Sequence, residues 1–165
     1  MNYYINNFFI YSILGFIMET LMKLIIPSMN NGSMYGPWVP IYGVGVCLII
    51  IIERFVFNRI KVSRPIKILL VFFTATIVLT TLEFISGNLL EMMTGKIYWK
   101  YDKLNFNFGH YIALEISLVW GISSLIIIYV IKPKIDKIVK KIPSIITYLV
   151  SLIFIIDLIC SIISN

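Results

Sequence analysis

Apolar residues fall into five long runs, separated by stretches rich in proline, glycine, asparagine or lysine. The runs cover about residues 3–26, 39–57, 66–93, 110–131 and 144–163. Each is close to or above the ~20 residues that an α-helix needs to cross a hydrocarbon core. The pattern predicts an all-α, polytopic integral membrane protein, one transmembrane domain over residues 1–165 with five transmembrane helices. Pro27 ends the first run, and PSMNNGSMYGPWVP, with three prolines and two glycines, reads as a turn-rich loop. Gly43 and Gly45 at the start of the second run leave room for a neighbouring helix. NRIKVSRPIK and KPKIDKIVKKIP read as connectors, and the segment 94–109 as an aromatic-rich loop lying at the headgroup level.

Composition sharpens this picture. The chain is 59% hydrophobic and only 13% charged, too little charge for a soluble domain of 165 residues. Its net charge of +6 comes from Lys and Arg in short loops beside the runs, which points to membrane topology and not to nucleic acid. Arg59, Lys61, Arg64 and Lys67, with Arg54 at their edge, follow the second run, and Lys132, Lys134, Lys137, Lys140 and Lys141 follow the fourth. With five spans these loops share a side, so the positive-inside rule puts the N-terminus in and the C-terminus out. The opening MNYYINN lacks a basic n-region, so no cleavable signal peptide is expected. Cys47 and Cys160 lie inside runs, far from each other and from the single histidine, and read as apolar filler.

The candidate chemistry is carboxylate. Thr76, Thr80, Glu83, Gly87 and Glu91 are three or four apart and share one helical face. Ser12, Gly15, Glu19 and Lys23 form a similar stripe on the first run, Glu115 lies in the fourth, which opens with His110, and Asp157 lies in the fifth. A carboxylate at the centre of a membrane helix costs about 2.5–3.5 kcal/mol on insertion scales, so each requires compensation. At about 1.5 Å per residue, Glu19, Glu83, Glu115 and Asp157 fall at similar depth in the outer half, with His110 above them. The functional reading is an outward-facing acidic pocket of Glu19, Glu83, Glu115, His110 and Asp157 that binds a cation, relays protons or holds a cationic headgroup. The plainer reading is that each carboxylate is protonated or paired, as Glu19 is placed to be with Lys23, and joins helices. Glu91 and Asp102 are placed closer to water.

Missing motifs narrow the field. There is no G-x-x-x-x-G-K-[ST], no H-E-x-x-H and no G-x-S-x-G, so the chain carries no ATPase signature of its own. No cofactor is assigned, and one histidine without a cysteine cluster argues against a transition-metal site. An acid–base enzyme using Glu83, Glu115 and His110 on a lipid-linked substrate has no specific motif behind it.

Two composite motifs carry a family resemblance. The first is a membrane Glu in the first run followed by N-x-G-x-x-x-G-P-x-x-P-I-Y-G, here Glu19 and then Asn30, Gly32, Gly36, Pro37, Pro40, Tyr42 and Gly43. The second is L-E-x-x-x-x-x-L-x-E from Leu82 through Glu83 to Glu91, then W-x-Y at Trp99 and Tyr101, Asn107 and Gly109, Trp120-Gly121 and Pro133. Over roughly residues 8–136 the chain resembles the family of small bacterial membrane proteins labelled putative ABC-transporter permease, type IV, CmpB-like. It departs from the family pattern at Asn31, where N-R-G is usual, and at Lys100, where W-D-Y is usual; Asp102 is placed to take over the missing acid. The resemblance implies a permease-like transport component in the bacterial plasma membrane. Five spans are few for a solute pathway, so a homo-oligomer or partner membrane and ATPase subunits are expected. The rival readings are a small membrane enzyme and a non-transporting accessory or sensor subunit.

Overall fold

The computed structural model describes residues 2–25 and 34–164. Among them are five helices long and apolar enough to cross a membrane: Asn2–Leu24, Pro40–Phe57, Arg64–Thr94, Leu114–Val139 and Ser144–Ser164. The chain divides into two compact units, Met1–Val44 with Ile135–Asn165, and Gly45–Lys134.

In the first unit α1 (Asn2–Ile25) packs along α6 (Ser144–Ser164). The contact is polar as well as apolar. Thr147 Oγ1 donates to Asn6 Oδ1 at 2.8 Å and Asn2 Nδ2 to Ser144 Oγ at 2.8 Å, while Tyr3 OH donates to Asp136 Oδ1, in the segment before α6, at 2.7 Å. Of these only the Thr147–Asn6 bond is buried, and bonds of that kind between membrane helices average about 0.6 kcal/mol each. Further along, the rings of Phe8, Phe9, Trp38 and Phe154 pack mostly edge to face at 5.2–6.4 Å. Gly43, in the first turn of α2 (Pro40–Ile52), lies so close to the Phe8 carbonyl and Ser12 that a Cβ would not fit.

The second unit is built on α3 (Arg64–Thr94) against α4 (Leu114–Ile126). Pro65 in the first turn starts α3 and Gly95, at φ +67°, ends it in the left-handed conformation that glycine adopts without penalty. The 31 residues of α3 extend about 46 Å, well beyond a hydrocarbon core of about 30 Å. Gly121 of α4 lies against Phe72 and Thr76, and Gly45 against Leu79, so small residues bring these backbones together. Gly43 and Gly45, which the sequence offers to a neighbouring helix, thus meet side chains and backbone of this chain's own helices. Both α2 and α4 run on into π-helical turns, Glu53–Phe57 and Ile127–Ile131. Glu53 and Lys132, next to these turns, form an ion pair at 3.3 Å with side chains 18% and 16% exposed.

Two local expectations change. The fourth helix begins at Leu114, not at residue 110, because β1 (Asn107–Phe108) pairs antiparallel with β2 (Ile112–Ala113). Gly109, at φ +63°, allows the tight reversal, and His110 sits in the turn instead of opening a helix. The lysine-rich segment after the fourth run is helical as α5 (Lys132–Val139), with Ile135, Ile138 and Val139 spaced to give it one apolar side.

Candidate functional site

Glu83 lies in α3 at a junction of three elements. It is 5% exposed, and its two oxygens face different donors. Tyr101 OH, from the α3–α4 connection, donates to Oε1, and Trp120 Nε1, from α4, donates to Oε2 at 2.8 Å. Both donors are neutral, and among the described residues no cation pairs with this carboxylate. An ionised Glu83 therefore keeps its full negative charge inside the helical layer, which is expensive in a low-dielectric surrounding.

The connection between α3 and α4 folds back over this face. Gly87, one turn beyond Glu83, has the Tyr111 ring against it, and a Cβ there would stand 2.5 Å from Tyr111 Cδ1. Tyr111 OH donates to Glu91 Oε2 at 2.9 Å, and its ring meets Trp99 edge on at 5.6 Å. Tyr101 N donates to the His110 carbonyl at 2.8 Å, which holds Tyr101 beside the hairpin turn. Asp102 lies 2.7 Å from His110 Nδ1 and 3.7 Å from Lys100 Nζ. The His110 imidazole beside it holds the Asp102 carboxyl below the usual carboxylate range. Glu115, half-buried in the first turn of α4, accepts from Phe106 N at 3.3 Å through Oε1. Its Oε2, together with Thr80 Oγ1 and Trp99 Nε1, is buried with no hydrogen-bond partner among the described residues.

In the first unit Asp157 has a separate arrangement. It accepts from Tyr35 N at 3.2 Å, Gly36 N at 3.0 Å and Trp38 Nε1 at 2.6 Å, so one α6 carboxylate holds the segment before α2. Tyr35 OH adds a bond to Ser164 Oγ at 2.7 Å. Glu19 is half-buried on α1, one turn before the exposed Lys23.

Glu83, Glu91, Glu115 and the Asp102–His110 pair thus belong to one unit, each with its own donors, while Glu19 and Asp157 belong to the other. Among the described residues no three His, Cys, Asp or Glu side chains are grouped to hold a metal ion. The sequence singles out the acceptors but not the side-chain donors Trp38 and Tyr111 or the backbone donors Tyr35 and Phe106; Trp120 stands only as a motif position. The available signal was an excess of Tyr and Trp, apolar side chains with a polar tip, flanking runs that hold carboxylates.

Residues 6–164 match the family model described as putative ABC-transporter type IV. The chain belongs to that family. No curated protein and no solved structure matches it. The description associates the type IV family with ABC transport, and the five apolar helices are those of a multi-pass membrane protein. Of the type IV motif positions, Asn30 and Gly32 lie outside the described residues. Gly36 and Pro37 belong to the segment held by Asp157, and Pro40, Tyr42 and Gly43 form the first turn of α2, where Tyr42 packs on Gly15. Glu83, Glu91, Trp99 and Tyr101 gather around the α3–α4 connection, and Asn107 and Gly109 shape its hairpin. At the position where this type IV chain has Lys100 in place of the usual acid, Asp102 pairs with Lys100 and His110.

Proposed function

We propose that this chain is the membrane-embedded, permease-like component of a transport system, and that Glu83 is the group through which it takes up and releases a proton or small cation. One observation carries the reading: a carboxylate 5% exposed within α3, held by the neutral donors Tyr101 and Trp120. Its charge has to be cancelled by a proton or by a bound cation, and a group under that demand inside a membrane is where transport chemistry is usually placed. The unpartnered oxygens of Thr80 and Glu115 support it, because each leaves an acceptor for a bound species to complete. Glu115 and His110, in the same unit, extend the acidic band in this proposal, which opens to the outside of a bacterial plasma membrane with the N-terminus in and the C-terminus out. The sequence has no phosphate-binding loop, so ATP hydrolysis would come from a separate subunit. Pairing with that subunit, or self-association, supplies the rest of the pathway.

A second reading, a non-transporting accessory subunit, is favoured by Asp157, whose donors all serve to fix residues 35–38. The enzyme reading has the Asp102–His110 pair, but no Ser, Cys or Thr side chain hydrogen-bonds to it among the described residues.

The test is thermal stability of the purified protein across pH, mono- and divalent cations and small cationic solutes, wild type beside Glu83→Gln. A ligand at 100 times its Kd raises stability by about 2.7 kcal/mol. A shift present in the wild type and lost in Glu83→Gln is expected. Equal responses from both proteins, with the variant simply less stable, would favour the accessory subunit.

A further inference from the structure

Residues 137–148 carry Lys137, Lys140 and Lys141 and no acidic residue. They lie where α5 ends and α6 begins, between two helices long and apolar enough to cross a membrane. This turn is therefore where the chain leaves the bilayer and re-enters it. Lys140 N donates to the Asp136 carbonyl at 3.3 Å and Lys141 N to the Ile138 carbonyl at 2.9 Å, which carries the winding of α5 past Val139. Lys140 and Lys141 follow Lys137 by three and four residues, so the three side chains share one face. All three are exposed, while Val139, away from that face, is buried. Among the described residues no carboxylate pairs with any of them. The negative end of the helix dipole, about half a charge, offsets only part of three. Asp136, the nearest acid in sequence, accepts from Tyr3 OH at 2.7 Å, and Asn2 Nδ2 donates to Ser144 Oγ at 2.8 Å. The start of α1 thus holds the turn on both sides, and a fixed element costs less to order around a ligand than a loose one.

Apolar surface accompanies the cations. Ile138, three residues before Lys141, is more than half exposed, as are Ile145 and Tyr148, which share a face of the first turns of α6. Water or a free inorganic anion would satisfy the lysines and leave this surface unused. A molecule with a negative headgroup and a hydrocarbon tail uses both. We propose that the α5–α6 turn is a binding site for the phosphate headgroup of an anionic phospholipid, held by Lys137, Lys140 and Lys141, with an acyl chain lying along Ile145 and Tyr148. A tyrosine at this level suits the boundary, because its ring is apolar and its hydroxyl reaches the headgroups.

The test uses the full-length protein with both cysteines replaced and a fluorophore on Ile145→Cys, reconstituted into phosphatidylcholine bilayers that contain a small fraction of lipid with brominated acyl chains. Bromine quenches only a fluorophore that it approaches closely, so the signal reports the lipid beside the turn. Brominated phosphatidylglycerol should quench more than brominated phosphatidylcholine at the same fraction. Lys140→Gln with Lys141→Gln should lower that preference towards equality, by about fivefold per cation removed, while Arg59→Gln with Lys61→Gln should leave it in place. Equal quenching by the two lipids with the lysines intact, an unchanged preference in the lysine variant, or an equal loss in the Arg59 and Lys61 variant would overturn the proposal. So would displacement by inorganic phosphate that chloride at the same ionic strength does not reproduce. Should the lysine variant fail to fold, the preference with the lysines intact is followed from roughly 0.05 to 0.5 M salt, where screening shortens severalfold. Loss of preference with salt is expected, and a constant preference overturns the site.

Discussion

Gly87 shows how one missing methyl group organises the α3–α4 connection. The Tyr111 ring occupies the space a Cβ would fill, and from there its hydroxyl reaches Glu91. Gly87→Ala should cost about 1–3 kcal/mol, the usual range for overpacking, and should cancel most of any further loss from Tyr111→Phe. Thermal unfolding of the two single variants and the double variant checks this. Asp102 yields a different prediction at the same scale. Its carboxyl is held below the usual range by His110, so the folded value is depressed relative to the unfolded chain. A depressed carboxyl contributes stability that is fully present above the unfolded value and is lost as pH falls through the folded one. The hairpin should therefore loosen below about pH 4 and be insensitive to Asp102 titration above about pH 5. Amide exchange of residues 99–111, referenced at each pH to Asp102→Asn, should show the difference disappearing on acidification.

The two π-helical turns gain their meaning from the ion pair beside them. Glu53 and Lys132 are both largely buried, so removing either partner takes this pairing from a charge that stays buried. Glu53→Gln or Lys132→Met alone should cost about 3–5 kcal/mol, and the double substitution should recover much of that loss, because a neutral pair strands nothing. A double variant as unstable as the sum of the singles would mean that the pair matters for another reason. The five long helices were legible because each apolar run exceeds the length of a soluble core helix. The hairpin before α4 was not, because Phe108, Tyr111 and Ile112 continue an apolar run and only Gly109 signals the reversal. Lysine density made α5 look like a connector, although Ile135, Ile138 and Val139 already had helical spacing. At the site, Glu83 stood out as a costly acceptor, while its donors lie 18 and 37 residues away and belong to no local period.

For the molecule as a whole, the basic loops set the expected orientation. In a background with Cys47 and Cys160 replaced, a cysteine at Lys61 or Lys140 should react with a membrane-impermeant thiol reagent only after the cells are opened. A cysteine at Lys103 should react in intact cells, and the reverse pattern would invert the proposed topology. The Asp157 bonds carry one more consequence. They join Tyr35, Gly36 and Trp38 to a residue about 120 positions later, and the unit they close draws on both ends of the chain. Gly45–Lys134, by contrast, is one continuous stretch. During translation the middle of the protein can therefore finish packing while the first helix still lacks its partner. Until α6 leaves the ribosome, the segment around Trp38 has only its contacts with the first helix and lacks the Asp157 acceptor, so a nascent chain truncated before Ser144 should be degraded faster by quality-control proteases than the full-length chain.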